Sequence, residues 1–121
     1  MQRNDLVGIW KLKSVKTPLE GGGVEYPFGK RPGGTIQYVK DGFMAVHLTG
    51  SDEADGKTRA YSGRWSFEND IVTHHVEVSL EPELRGVTLQ RRAELNGNTL
   101  IYRTVEAQGP GRPEVIWEKV P

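Results

Sequence analysis

Two runs of alternating apolar and polar residues, Arg59 to Glu68 and Ile71 to Leu80, constrain the fold of this chain more than any other feature. Paired as an antiparallel hairpin around Asn69-Asp70, they place their apolar side chains on one face. That face holds Tyr61, Gly63, Trp65, Phe67, Val72, His74, Val76 and Val78. The opposite face holds Ser62, Arg64, Ser66, Thr73, His75, Glu77 and Ser79. A slip of one residue would mix the two sets, so the sequence predicts a half-buried hairpin with defined faces.

Four other parts of the chain show the same alternation. They are Leu6 to Val15, a hairpin of Gly34 to Val39 with Phe43 to Thr49, a hairpin of Val87 to Leu95 with Thr99 to Val105, and Glu114 to Val120. A single helical turn is predicted at Arg3 to Val7. Gly21-Gly22-Gly23 and Ser51 to Lys57 are predicted to be loops because they interrupt the alternation with turn-forming residues.

The turns set the register of these two hairpins. A three-residue loop at Lys40-Asp41-Gly42, with Gly42 in the left-handed region, pairs Val39 with Phe43. The other hairpin turns at Asn96-Gly97, which brings Arg91 close to Tyr102 on the apolar face. Shifting that turn to Gly97-Asn98 would move the pairing by two residues and leave the faces unchanged.

About eight antiparallel strands, each with one apolar face, must cover that face within 121 residues. A sandwich and a closed barrel are the two architectures that do so. Large inward side chains favour a partly filled barrel with room for one small ligand. Gly8 and Trp10 lie on one face of the first strand, where the indole would close one end. We therefore predict an all-β, antiparallel up-and-down barrel in one domain, residues 1–121.

Composition excludes several classes of function. Lys+Arg and Asp+Glu both number 16, so no net field attracts nucleic acid or an anionic membrane. The absence of cysteine excludes disulfides, thiol nucleophiles and thiolate metal sites. No apolar run approaches the roughly 20 residues of a membrane span. Residues 1–5 lack the apolar core of a signal peptide, so we expect a cytoplasmic protein.

Four stretches carry a resemblance to a known family. They are residues 6–12 around Gly8-Ile9-Trp10, Tyr26-Pro27-Phe28-Gly29, residues 38–44 around Asp41-Gly42, and Tyr61-Ser62-Gly63-Arg64-Trp65 with the run Thr73 to Ser79. The chain resembles the small bacterial and fungal lipocalin-like domain family, within the calycin group of barrels. The resemblance implies a barrel of about eight strands around a pocket for an apolar small molecule. In typical lipocalins a late arginine packs across the opening tryptophan. Here the last strand offers Trp117 and Lys119, so that role is either lost or passed to Arg91.

Two inward polar residues are the sharpest candidates for chemistry. Burial among apolar neighbours would keep His74 neutral, able to act as a general base, to hydrogen-bond a carbonyl or to ligate iron. The alternative is a core histidine satisfied by a neighbouring hydroxyl or backbone group. An inward Arg91 cannot lose its charge and needs an anion, carbonyl groups or an aromatic face. It would hold a ligand anion, or stack on Trp10 or Trp117 as a structural plug.

Aromatic side chains make up most of the expected ligand contacts, and His74 and Arg91 belong to the same set. We expect ligand contacts from Trp10, Tyr38, Tyr61, Trp65, His74, Arg91, Tyr102 and Trp117, although buried tyrosines more often only pack. Arg64, His75 and Glu77 form a polar cluster on the face assigned as outer, which suits a charge ladder or a subunit contact. If the faces were inverted, this cluster would be the active site. No histidines have the spacing of a zinc site, so no metal is expected.

These residues leave several functions open. The leading hypothesis is a barrel that binds a small hydrophobic or amphipathic molecule in its lumen. No cofactor is expected. The sequence is compatible with a monomer or a homodimer. The alternative is a non-hydrolytic enzyme (cyclase, isomerase or dehydratase) on a polyketide-like intermediate, with His74 and Arg91 as catalytic residues. A haem barrel with His74 as axial ligand is a third hypothesis. In a fourth, the outer face serves a protein partner.

Overall fold

A computed structural model describes residues 1–51, 57–105 and 111–121 of the chain. Within those residues the strands are β1 (Gly8–Pro18), β2 (Val24–Glu25), β3 (Gly33–Tyr38), β4 (Phe43–Thr49), β5 (Thr58–Glu68), β6 (Ile71–Ser79), β7 (Thr88–Asn96), β8 (Thr99–Arg103) and β9 (Glu114–Lys119). Short 3₁₀ turns occupy Arg3–Leu6 and Pro82–Leu84. In the described part of the chain, no helix is long and apolar enough to cross a membrane.

The sheet closes on itself. Its strand order is β2-β1-β3-β4-β5-β6-β7-β8-β9, every pair is antiparallel, and β1 also pairs with β9. Eight strands therefore form a closed barrel, and the two-residue β2, which the sequence did not predict, pairs with the C-terminal end of β1. The predicted all-β barrel of about eight strands is confirmed. Closure removes the unpaired edges that an open sheet of this length would expose.

Two predicted hairpins have the expected register near their turns. Trp65 pairs with His74 across β5 and β6, and Asn69 and Asp70 turn with φ of 53° and 62°. Tyr38 pairs with Met44 across β3 and β4, and Gly42 turns with φ of 101°. Both turns use the left-handed backbone that suits the twist of tight hairpins.

A bulge in β6 corrects the prediction at the far end of the first hairpin. Gly63 pairs with Val76 and Ser62 pairs with Val78, so Glu77 is an extra residue. The extra residue exchanges the faces beyond it: Val78 is 65% exposed and Ser79 is buried, the reverse of the prediction. A Cβ at position 63 would overlap the carbonyl oxygen of His75, so this close approach of the strands requires glycine.

The third hairpin turns one residue later than the preferred prediction. Asn96 pairs with Thr99, so the loop is Gly97-Asn98, and Ala93 rather than Arg91 lies opposite Tyr102. The inward face is unchanged because the pairing moves by two residues. Of the predicted loop Ser51 to Lys57, residues 52–56 lie outside the described residues.

Candidate functional site

The barrel contains a partly open cavity of about 220 Å³. Its wall is mainly apolar, and five of the fifteen described residues that line it are aliphatic: Val15, Ile36, Val46, Leu48 and Val115. The polar side chains that line it are Thr17, Arg59, Tyr61, His74, Arg91 and Tyr102. Trp117 and Phe28 complete the aromatic wall. An apolar cavity with a few polar groups is the common form of a small-molecule site.

Three buried side chains and the partly buried Tyr61, from four strands, form one hydrogen-bonded chain beside the cavity. The Tyr61 hydroxyl lies 2.7 Å from Nδ1 of His74. Nε2 of His74 lies 2.5 Å from the Tyr38 hydroxyl, which lies 2.7 Å from the hydroxyl of Tyr102. The hairpin register places His74 inward on β6, and barrel closure brings the three tyrosines to it from β3, β5 and β8.

The direction of each hydrogen bond in this series of side chains fixes the direction of the next, so the two ends of the series are linked. A neutral imidazole donates from one nitrogen and accepts at the other. If His74 accepts from Tyr61, then Nε2 donates to Tyr38, Tyr38 donates to Tyr102, and the Tyr102 proton has no acceptor within the chain. With the other tautomer every donor reverses, and the Tyr61 proton is the one left over. Tyr61 and Tyr102 both line the cavity, so one end offers it a proton while the other end accepts.

Burial keeps all four groups uncharged near neutral pH. Loss of solvent contact, with smaller effects of Arg91 and then His75, lowers the pKa of His74 to about 3. Burial also raises the pKa of Tyr61 to about 12, against the opposing field of Arg91. Burial raises the pKa values of Tyr38 and Tyr102 well above the usual value for tyrosine. The neutral His74 expected from the sequence agrees with this environment.

Two arginines line the cavity, and they differ in their partners. Nε of Arg59 lies 2.8 Å from Oε1 of Glu81, which compensates its charge. Arg91 is half-buried, and its Nη1 donates to the carbonyl oxygen of Gln90 at 2.8 Å. Among residues 1–51, 57–105 and 111–121, no carboxylate forms an ion pair with Arg91.

The three tryptophans also differ in whether the indole N–H has a hydrogen-bond partner. Nε1 of Trp10 donates to the Leu6 carbonyl and Nε1 of Trp65 donates to the Val39 carbonyl, each at 2.9 Å. Nε1 of Trp117 is buried and has no hydrogen-bond partner in the described structure. Trp117 lines the cavity, whereas Trp10 and Trp65 are buried in the core outside its lining.

The predicted site residues therefore fall into two groups. Tyr61, His74, Arg91, Tyr102 and Trp117 line the cavity. Tyr38 is buried behind them and reaches the cavity only through its hydrogen bonds, and Trp10 and Trp65 pack elsewhere in the core. Arg59 was missed, although its spacing of two from Tyr61 on one strand could have placed it inward.

The outer polar cluster stays outside. Arg64 pairs with His75 across β5 and β6, and both are exposed, as is Glu77. The Arg64 guanidinium lies 4.1 Å from the centroid of the Phe43 ring. The inverted arrangement, with these three residues in the lumen, is therefore wrong. No three His, Asp or Glu side chains group as metal ligands anywhere in the described ranges.

Comparison with known proteins agrees with this architecture. The model of a family described as a lipocalin-like domain matches residues 7–60 and 53–120. The chain belongs to the lipocalin-like domain family. A crystal structure of a lipocalin-like protein from Bacteroides uniformis is 16% identical, with a TM-score of 0.59 over 96% of this chain and 99% of that one. An uncharacterised protein from Bacteroides eggerthii is 13% identical, with a TM-score of 0.57 over 96% and 100%. At these identities the likeness concerns the fold alone, and no curated protein matches.

In this lipocalin-like barrel, Lys119 is the cation that packs across the opening tryptophan. Its Nζ lies 4.7 Å from the centroid of the Trp10 ring and donates to the Val7 carbonyl at 2.6 Å. Neither sequence alternative for this contact was right, because the role is not lost and does not pass to Arg91. Lys119 therefore takes the position on Trp10, and Arg91 lines the cavity instead.

Proposed function

We propose that this lipocalin-like barrel binds a small amphipathic molecule in its lumen. The observation that carries the proposal is the cavity in the barrel lumen, whose surface is mainly apolar and, among the described residues, carries six polar side chains. The apolar wall supplies affinity by removing ligand surface from water, and the polar groups orient the ligand.

The size of the cavity limits the ligand. Drug-sized molecules occupy sites of roughly 300–1,000 Å³. The cavity of about 220 Å³ is smaller, so the ligand is a compact molecule such as one or two fused rings or a short acyl chain. A large macrocyclic cofactor exceeds this volume. Both ring nitrogens of His74 are also engaged by tyrosines, so this histidine does not fit the role of a haem ligand.

Native mass spectrometry of the protein purified from its own host tests this proposal. We expect a native mass that exceeds the denatured mass by one small molecule. Val115→Phe fills part of the cavity and should abolish the extra mass. Val78→Phe makes the same change on the outer face, at a side chain that is 65% exposed, and should retain it. Equal native and denatured masses for the wild type would contradict a resident ligand.

The hydrogen-bonded chain favours isomerisation as a second candidate function. A proton leaves the ligand for the Tyr61 oxygen while Tyr61 passes its own proton to Nδ1 of His74. Nε2 then passes its proton to Tyr38, Tyr38 passes one to Tyr102, and Tyr102 returns one to the ligand at a different atom. Protons and charge balance without a co-reactant, which describes a tautomerase or a double-bond isomerase. Each pass leaves every donor in the hydrogen-bonded chain reversed, and a return proton relay, through water in the cavity or through the reverse reaction, restores the starting arrangement.

Conversion of the bound molecule tests this second candidate. The ligand released from the wild type, incubated with fresh protein in deuterated water, should yield an isomer and incorporate deuterium. Tyr61→Phe breaks one end of the chain and should abolish both effects while native mass spectrometry still shows occupancy. Tyr26→Phe is the control, because Tyr26 does not belong to the hydrogen-bonded series, and this variant should retain turnover. Unchanged ligand with no deuterium would restrict the function to binding.

A further inference from the structure

We infer that the ligand of the lumen is an organic anion, a compact apolar body that carries a carboxylate, phenolate or enolate oxygen held by Arg91 and Trp117. This inference rests on the proposed lumen-binding function and names the chemical class of the ligand. It is carried by the charge balance of the cavity and by one orphaned hydrogen-bond donor.

Among the described residues that line the cavity, the charged side chains are two arginines. No Asp or Glu is among the described residues that line it, and its histidine and tyrosines are uncharged near neutral pH. Glu81 compensates Arg59, which leaves the half-buried Arg91 guanidinium as the uncompensated charge. A half-buried guanidinium keeps its charge and is stabilised by a nearby anion, and its planar array of donors matches a carboxylate.

The orphaned donor is the indole N–H of Trp117. The other two indoles, both outside the cavity lining, donate to main-chain carbonyls. Trp117 is only 3% exposed, and its Nε1 has no acceptor in the described structure. A buried donor without a partner costs about 1–3 kcal/mol, so a ligand oxygen that accepts from it recovers that free energy.

The surroundings of Arg91 are also positive on the outer side. Arg91 lines a second, open depression together with Arg112, Thr104 and Gln90. Arg91 therefore lies between that depression and the lumen. Two arginines there, with no described carboxylate in the lining, attract an anion toward the cavity, although the whole chain has no net charge.

A matched pair of probes tests the charge requirement. 2-Naphthoate and 2-naphthylmethanol share a ring system and differ in a carboxylate or a hydroxymethyl group. We expect the wild type to bind the carboxylate about ten- to a hundredfold more tightly, the range of a hydrogen bond to a charged group. Arg91→Gln should bring the two affinities together. Arg92→Gln, the adjacent exposed arginine on β7, is the control and should keep the difference.

The indole signals of ¹⁵N-labelled protein report on the orphaned donor directly. The chain has three tryptophans, so three indole N–H resonances are expected. Addition of 2-naphthoate should move the Trp117 signal downfield, and those of Trp10 and Trp65 should move much less because their N–H groups already have acceptors. Trp117→Phe keeps an aromatic wall without the N–H and should weaken 2-naphthoate binding about fivefold or more.

The results of these experiments distinguish a failure of the anion inference from a failure of lumen binding. Equal affinities for the two probes, both reduced by Val115→Phe, would overturn the anion and leave lumen binding intact. An unmoved Trp117 signal at saturating 2-naphthoate would remove Trp117 from the anion site. Failure of both probes to perturb any cavity resonance would overturn lumen binding itself, and the inference with it.

Discussion

Burial of His74 should make the stability of the barrel depend on pH. Its folded pKa of about 3 lies below the ordinary value of 6.5, which is the value in the unfolded chain. Between these values the unfolded state binds more protons than the folded state, so acid favours unfolding. The stability from a neutral, buried His74 is fully present above about pH 7 and is lost progressively as the pH falls through 6.5 toward 3.

The magnitude follows from the width of that window. Each pH unit well inside it costs slightly more than about 1 kcal/mol, so acidification from pH 6.5 to pH 4.5 should remove about 2 kcal/mol through this one group. For a domain of this size, about 2 kcal/mol is a substantial part of the total free energy of unfolding.

Urea unfolding at the two pH values, followed by tryptophan fluorescence, measures the effect. Carboxylates also titrate in this range, so the informative quantity is the difference between variants. His74→Gln removes the titrating ring and keeps a neutral donor and acceptor. The wild type should lose about 2 kcal/mol more than this variant between pH 6.5 and pH 4.5. His47→Gln, at an exposed histidine on β4, retains His74 and should match the wild type. Equal losses for the wild type and His74→Gln would refute the reasoning.

Three further changes test the fold by chemical denaturation. Gly63→Ala should lower the free energy of unfolding by about 2 kcal/mol or more because the added Cβ overlaps a backbone carbonyl. Gly33→Ala, where the added Cβ meets open space, is the control and should be nearly neutral. Equal effects of the two substitutions would contradict the close approach of the strands at Gly63. Asp70→Gly should stabilise by about 1 kcal/mol because the native φ is 62°; destabilisation would count against that backbone. Lys119→Leu should cost about 1–2 kcal/mol through its lost contacts with Trp10 and the main chain; no loss would show that these contacts contribute nothing.

The architecture was largely predictable because binary patterning fixes which face of a strand is buried. The Asn69-Asp70 turn and the alternation around it gave the register of Trp65 and His74 correctly. The same pattern failed at Val78 and Ser79, since a bulge exchanges faces without changing composition. Gly63 was a usable signal there: a glycine inside a strand often marks a bulge or a close approach.

The candidate site was predictable only as a set of inward residues. His74 and Tyr61 share a hairpin, so their proximity follows from local register. Tyr38 and Tyr102 reach the same hydrogen-bonded chain through barrel closure, at separations of 36 and 64 residues along the chain. The missing partner of Trp117 depends on the final packing of the lumen. The alternation of apolar and polar residues along a strand predicts neither the tyrosine contacts made by barrel closure nor the missing partner of Trp117.

A crystal structure of the protein purified without denaturation from its own host would show whether the lumen holds an organic anion. We expect electron density for one compact organic molecule in the lumen, with an oxygen within hydrogen-bond distance of Arg91 and Trp117. A lumen that holds only ordered water, in protein whose native and denatured masses agree, would contradict this expectation.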